Sequence, residues 1–328
     1  MRKMISVLLC LLMMTGTLVS CGSQTKSADA ASDEKISIVT TIFPVYDWTK
    51  AILGDNTENV ELNMLLDNGV DLHSYQPTAD DIVKISNCDL FIYVGGESDE
   101  WVEDALQEAV NQDMVVINLL DVLGDAVKEE EVVEGMEAEE EEDEEEENEV
   151  EYDEHVWLSL NNAAILCQYI SDQLGTIDAD NSETYSTNAA AYIEKLNALD
   201  VEYQAAIDAA PVQTVLFGDR FPFRYLVDDY GLSYYAAFVG CSAETEASFE
   251  TIVFLAEKVD ELGLKAILQI ETADGSIANT IRENTAAKDQ EILTMDSMQS
   301  TTSSDVDNGA TYLSIMEENL AVLKEALK

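Results

Sequence analysis

The amino-acid sequence predicts an α/β protein of two lobes, each with a mostly parallel sheet flanked by helices, joined by one long rigid helix. Short apolar runs alternate with segments of helical periodicity from Lys35 onwards, and this alternation occurs in two separate series. The stretch between the series, residues 180–210, contains no Gly or Pro and predicts a single helix. A length of 328 residues fits two domains or one large bilobed unit.

The first lobe is predicted over residues 35–175. Its buried parallel strands are predicted at four apolar runs, ISIVTTI, VELNML, DLFIYV and MVVINL. The intervening segments have helical spacing, namely VYDWTKAIL, ADDIVKI and EWVEDALQEAV.

A linker helix is predicted over residues 176–210 and the second lobe over residues 211–328. The strands of the second lobe are predicted at QTVLFG, YYAAFV, KAILQI and EILTM, and its last helix at YLSIMEENLAVLKEALK. Because a helix as the sole connector resists bending, we expect only modest closure of the lobes.

Residues 1–20 have the pattern of a signal peptide and not of a folded element. Arg2 and Lys3 precede the apolar run MISVLLCLLMMTGTLVS, which is too short to span a bilayer comfortably. The run ends in LVSC, which resembles a bacterial lipoprotein signal and implies that Cys21 carries the lipid. Residues 21–34 then form a flexible polar tether. The mature protein is expected to be lipid-anchored on the extracytoplasmic face of the cell membrane.

The charge of the chain limits its partners. A formal net charge of -51 argues against nucleic acid and anionic membrane surfaces, and it favours cations. Much of the charge lies in an insertion, residues 129–149, within an acidic run that reads EAEEEEDEEEENEVEYDE and continues to Glu154. Because like charges repel, the insertion is predicted to be disordered. It is either a solvated spacer or a weak trap that concentrates cations near His155.

The five cysteines do not predict a disulfide framework. Cys10 lies within the signal peptide, and the folded region keeps Cys88, Cys167 and Cys241, an odd number with wide spacing. Since each has apolar neighbours, the sequence favours small buried side chains over zinc ligands or nucleophiles.

The chain has only two histidines. His73 lies in NGVDLHSYQPTADD and His155 in EYDEHVWLSLNNA. Both occupy loops where strands end or helices begin, the places where ligand sites gather in α/β sheets. A lone histidine is more often a surface or core residue, but two on such loops favour a site. Two imidazoles with carboxylates suit zinc or manganese.

Four segments, in order along the chain, resemble the zinc and manganese solute-binding lipoproteins of ABC transporters. They are DLHSYQPTADDIVKISNCDLFIYVGG, YDEHVWLSLNNA, FRYLVDDYGL, and ILTMDSMQS with the C-terminal helix. The match runs from Ile36 to Leu327 and includes the long helix. The resemblance implies that His73, His155 and Asp296 are metal ligands. From the residues alone, the favoured role of Asp296 is an N-cap for the segment that follows it.

One ligand of that family does not carry over. Its His or Glu falls on Arg220 in FGDRFPFRYL, and a guanidinium cannot bind a cation. Asp219 is the nearest substitute, and Glu271 and Glu244 are two others.

The resemblance implies a binding lipoprotein that captures a divalent metal ion as cargo and delivers it to an ABC permease. Zinc is favoured and manganese is the alternative. We expect a monomer. We also expect that the protein is not an enzyme, because the sequence contains no HExxH, GxSxG or P-loop motif. The other interpretations are a metal chelate or another anionic ligand bound through Arg220, a surface adhesin and, last, a zinc hydrolase.

Overall fold

The computed structural model describes residues 35–137, 151–242 and 246–328. The predicted signal peptide and tether, with Cys21, lie outside the described residues, as do residues 138–149 of the acidic insertion and Glu244. Within the described ranges, no helix combines the length and the apolar character that crossing a bilayer requires.

The first lobe is built on a four-stranded sheet in which every neighbouring pair of strands is parallel. Its strands, in the spatial order β2-β1-β3-β4, are β1 (Ile36–Thr40), β2 (Val60–Met64), β3 (Leu90–Tyr93) and β4 (Val115–Asn118). The helices that accompany them are α1 (Phe43–Leu53), α2 (Ala79–Asn87), α3 (Trp101–Gln107), α4 (Leu119–Leu123) and α5 (Leu160–Ile177).

The second lobe repeats this parallel architecture. Its strands, in the order β6-β5-β7-β8, are β5 (Thr214–Phe221), β6 (Ser233–Val239), β7 (Ala266–Ile270) and β8 (Glu291–Met295). Its helices are α7 (Arg224–Tyr230), α8 (Phe249–Leu262), α9 (Ser276–Asn284), α10 (Ser303–Asp307) and α11 (Tyr312–Ala326). All eight strands coincide with predicted apolar runs, which confirms the predicted α/β fold of two parallel-sheet lobes.

A long helix, α6 (Ser182–Asp208), lies between the two sheets. Its 27 residues span about 40 Å at about 1.5 Å per residue. The lobes also share a continuous core, and buried polar contacts join them directly: the Trp157 indole N–H donates to the carbonyl of Ser297 at 2.8 Å. These contacts support the expectation of modest lobe closure, which stays a prediction.

The acidic insertion begins with an ordered segment, so the prediction of disorder is wrong for residues 129–137. Glu130 and Glu151 pair through their backbones, and the backbone N–H of Glu137 donates to the carbonyl of Ala237 in β6 at 2.9 Å. Met136 is buried. The like-charge argument fails here because backbone pairing and an apolar side chain fix this part of the segment on the second lobe.

The strand order of each sheet positions the loops that matter for function. In both sheets the first strand in sequence has its next two strands on opposite sides, which opens a crevice at the carboxyl ends of the strands. His73 follows β2, while Arg220 and Cys241 lie at the carboxyl ends of β5 and β6.

Candidate metal centre

His73 lies in a short helical turn, Leu72–Ser74, whose start is capped by Asp71. The Oδ1 atom of Asp71 accepts the backbone N–H of His73 at 3.0 Å. The imidazole Nδ1 lies 2.7 Å from Oγ of Ser98 and 3.5 Å from Oε2 of Glu154. With Nδ1 directed at protein groups, Nε2 is left facing the crevice.

His155 is fully buried just before the turn that leads into α5. Its backbone N–H and its Nδ1 both lie within hydrogen-bonding distance of Asp153 Oδ1, at 2.8 and 3.0 Å. Tyr225 donates its hydroxyl to the carbonyl of Asp153 at 2.7 Å and so fixes this segment. Since a carboxylate can only accept, Nδ1 of His155 carries a proton, which leaves Nε2 as the atom available to a metal.

The two imidazoles converge although 82 residues separate them in the chain. Their Nε2 atoms are 3.1 Å apart, and their ring centroids are 5.1 Å apart. A zinc ion bonded to two nitrogens at about 2.0–2.1 Å in a tetrahedral arrangement sets those nitrogens roughly 3.3 Å apart. The pair therefore needs an adjustment of only a few tenths of an ångström to hold zinc.

The two histidines differ in their affinity for protons. The pKa of His73 is lowered to about 3, chiefly by burial and then by the charges of His155 and Arg220. The Asp71 carboxylate acts in the opposite direction but does not offset them. Burial also lowers the pKa of His155, but the Asp153 carboxylate, with Glu154 and Asp71, more than offsets it and raises that pKa above its ordinary value. Near neutral pH, His73 therefore presents a free lone pair, and metal binding displaces any proton from His155.

A third ligand-type atom, the Sγ of Cys241, lies beside the two imidazoles. Within the described ranges, His73, His155 and Cys241 form the one group of three or more His, Cys, Asp or Glu side chains whose ligand atoms all lie within 4.8 Å of one another. Cys241, which the sequence predicts to be a small buried side chain with no role as a ligand, is partly buried and lies at this cluster. Burial, then the carboxylates of Asp153 and Glu154, raises the pKa of its thiol.

Gly240 permits this close approach. A Cβ atom there would lie 2.9 Å from Cε1 of His155 and 2.9 Å from the carbonyl oxygen of Phe221. The GC dipeptide after β6 was the available sequence signal for the thiol, but only the fold brings it to the histidines.

Arg220, which cannot itself bind a cation, is paired inside the protein. Its Nη2 lies 2.6 Å from Oδ2 of Asp71, and its Nη1 donates to the carbonyl of Ser242 at 3.3 Å. A cavity of about 400 Å³ adjoins it and is also lined by Asp71, Asp219 and Asp274. Because the one cation is paired and three carboxylates line this space, the arrangement does not favour an anionic ligand.

The structure does not bring the predicted ligands Asp219 and Asp296 into the cluster. Asp219 accepts the backbone N–H groups of Ile270 and Arg220, at 3.0 and 2.8 Å. Asp296 accepts the N–H of Met298 at 2.7 Å and so caps the turn after β8. Both carboxylates thus have local backbone partners, and their role as direct ligands stays a prediction.

Glu271, another candidate, is also engaged locally. Its two carboxylate oxygens accept the backbone N–H and the hydroxyl of Ser297, each at 2.8 Å. Burial, followed by the charge of Glu271, raises the pKa of Asp296 to about 7.

An acidic cavity of about 200 Å³ adjoins the cluster. It is lined by His73, Glu97, Ser98, Glu130, Glu151, Tyr152, Glu154 and Cys241. Two of these residues, Glu130 within the acidic insertion and Glu151 just after it, are joined by a backbone hydrogen bond beside this cavity. The side chain of Glu154 fits here because Gly96, at φ +82°, has no Cβ: one there would lie 2.3 Å from Oε1 of Glu154. Burial raises the pKa of Glu154 to about 7.

Comparison with known proteins covers nearly the whole chain. A family model described as zinc-uptake complex component A, periplasmic (ZnuA), matches residues 38–326. The zinc-binding lipoprotein AdcA of Streptococcus pneumoniae is 35% identical over 310 residues, which are 94% of this chain and 58% of AdcA. The high-affinity zinc uptake system protein ZnuA of Bacillus subtilis is 32% identical over 94% of this chain and 93% of its own length. The chain thus spans little more than half of AdcA.

The same likeness appears in three dimensions. The crystal structure of the Zn(II)-bound ZnuA-like domain of S. pneumoniae AdcA superposes with a TM-score of 0.69 at 31% identity. The superposition covers 89% of this chain and 99% of that domain.

Proposed function

The chain belongs to the family of zinc-uptake complex component A, and from this premise we propose that it captures Zn²⁺ outside the cytoplasm and delivers it to an ABC permease. The observation that carries the proposal is the pair of imidazole Nε2 atoms 3.1 Å apart, with both Nδ1 atoms directed at protein groups. Membership confirms the predicted resemblance. The family is named for an uptake component, in agreement with a binding protein and not an enzyme.

His73 and His155 are the proposed protein ligands of the zinc cargo. Ser98 and Asp153 orient the two rings from behind, which is how outer groups commonly hold zinc-bound imidazoles. The names of the relatives, a zinc-binding lipoprotein and a zinc uptake protein, support zinc over manganese. The adhesin and the chelate interpretations stay alternatives.

The same comparisons support a location outside the cytoplasm. A periplasmic family and relatives named as lipoproteins support a place outside the cytoplasmic membrane, held by a lipid on Cys21. The proposed partners are then the ABC permease and, through the lipid, the membrane; the net charge of -51 argues against nucleic acid. The monomeric state and the capture of cations by the insertion, residues 129–149, stay predictions.

Titration of the metal-free protein with zinc, in competition with a chromophoric chelator, tests the proposal. We expect one tight site in the wild type and its loss in His73→Ala and His155→Ala. Gln168→Ala, on an exposed position of α5, serves as the control and keeps the site. Unchanged affinity in both histidine variants would refute the proposed site, and no zinc binding by the wild type would refute the function.

Delivery to a permease is tested in cells. Cells that lack the gene and carry either histidine variant should fail to grow in zinc-depleted medium, while cells with Gln168→Ala grow. Equal growth of all strains would show that the histidine site is not needed for zinc uptake, and it would contradict the proposed delivery.

A further inference from the structure

Two imidazoles are an incomplete set for a zinc site, because protein zinc sites have at least three protein ligands. This chain has no third histidine, and the guanidinium of Arg220 cannot bind a cation. We propose that the thiolate of Cys241 is the third protein ligand, so that zinc is held by two histidines and one cysteine. The inference rests on the proposed function and defines the site in more detail.

The geometry supports this set. The ligand atoms of all three residues lie within 4.8 Å of one another. Zinc–nitrogen bonds of about 2.05 Å and a zinc–sulfur bond of about 2.3 Å in tetrahedral geometry require a nitrogen–sulfur separation of roughly 3.6 Å. The nitrogen–sulfur separations therefore need to shorten by at most about 1.2 Å to complete the site. Cys241 and His73 both line the acidic cavity, so the fourth position faces that space.

Arg220 acts as a positioning residue for this set. Its guanidinium joins Asp71, two residues before His73, to the carbonyl of Ser242, one residue after Cys241. One side chain therefore connects the two loops that carry a nitrogen and a sulfur ligand. The Asp71 carboxylate pairs with its charge, so that Arg220 does not stand unpaired near a divalent ion.

The charge of the zinc-loaded cluster is compatible with a thiolate. On binding, the thiol releases its proton to water, and Zn²⁺ with two neutral imidazoles and one thiolate has a net charge of about +1. The carboxylates of Asp153 and Glu154, which lie close to the cluster, favour that charge. A thiolate also sets the metal preference, since sulfur ligands favour zinc and disfavour manganese.

Cobalt(II) provides the direct test, because it replaces zinc in tetrahedral sites and absorbs in the near ultraviolet only when a thiolate is bonded to it. We expect this band in the cobalt-loaded wild type and in Cys88→Ala, which removes a buried thiol elsewhere in the first lobe. The band should be absent from Cys241→Ala and Cys241→His. Zinc should also protect Cys241 from alkylation, as mapped by mass spectrometry.

Zinc affinity separates ligation from a structural role. Cys241→Ala should weaken zinc binding by more than about 100-fold, the upper range for loss of a group that only orients a ligand. Cys241→His, which offers a nitrogen instead, should recover part of that loss without the cobalt band. Melting of the metal-free variants shows whether each is folded.

The failure of this inference and the failure of the proposed function give different results. If the wild type binds zinc tightly and Cys241→Ala, folded, binds it equally well, Cys241 is not a ligand while the function stands. A cobalt-loaded wild type without the thiolate band would likewise exclude Cys241 as a ligand. If the wild type binds no zinc, the proposed function itself is wrong.

Discussion

Replacing Asp296 by asparagine tests how the protein tolerates a buried carboxylate next to another one. Burial and the charge of Glu271 raise the pKa of Asp296 to about 7, whereas an unperturbed aspartate titrates near 3.9. The amide of the Asp296→Asn variant keeps the size of the side chain and an oxygen that accepts the Met298 N–H. The substitution therefore removes the titratable charge and little else.

The sign of the effect follows from the direction of this shift. A carboxyl group whose pKa is raised on folding stabilises the folded state below its unfolded pKa, and this contribution is lost as pH rises through about 7. A difference of roughly three pKa units corresponds to about 4 kcal/mol in the free energy of unfolding, which is an upper limit because the carboxylate keeps some contact with solvent. Above pH 8, we expect the free energy of unfolding of Asp296→Asn to be about 2 to 4 kcal/mol higher than that of the wild type. Near pH 4, the two values should be equal.

Denaturant unfolding of the zinc-free proteins between pH 4 and pH 9 measures this difference. The control is Glu202→Gln, which removes one negative charge at an exposed position of α6. Its stability should depend on pH as that of the wild type does. Parallel stability curves for Asp296→Asn and the wild type would refute the reasoning. Zinc affinity is the second readout: a loss of more than about tenfold in Asp296→Asn would support the ligand role that the resemblance implies, and an unchanged affinity would leave Asp296 as the cap of its turn.

Three further predictions concern the histidine cluster. Asp153→Asn should weaken zinc binding by roughly 10- to 100-fold, because His155 loses the carboxylate that orients its ring and raises its basicity; competition titration measures this, and an equal affinity would contradict it. Gly240→Ala should lower both stability and zinc affinity, since the new methyl group would lie 2.9 Å from the ring of His155, and a variant with wild-type melting and binding would show that the close approach is not needed. Zinc at 100 times its dissociation constant should stabilise the wild type by about 2.7 kcal/mol in thermal unfolding but leave His73→Ala unchanged, and removal of zinc by a chelator should reverse the gain.

The fold was accessible from the sequence because its signals are local. Runs such as DLFIYV and KAILQI are short and apolar, and both are strands of parallel sheets in the structure. The helix between the sheets was equally clear, since no Gly or Pro interrupts the segment that forms α6. The prediction of disorder was wrong at residues 129–137 for a physical reason. A count of charges does not predict that the backbone of Glu129 pairs with Tyr152 and that of Glu137 with Phe238.

By itself, the sequence determined the strands, the long helix and the two histidines, because each depends on residues close together in the chain. Only the tertiary structure decided that Cys241 lies beside His73 and His155 and that Arg220 pairs with Asp71, a residue 149 positions away. A coordination set and an ion pair are defined by distances between folded segments. Neighbouring letters do not encode these distances, which arise when both lobes pack around a common core.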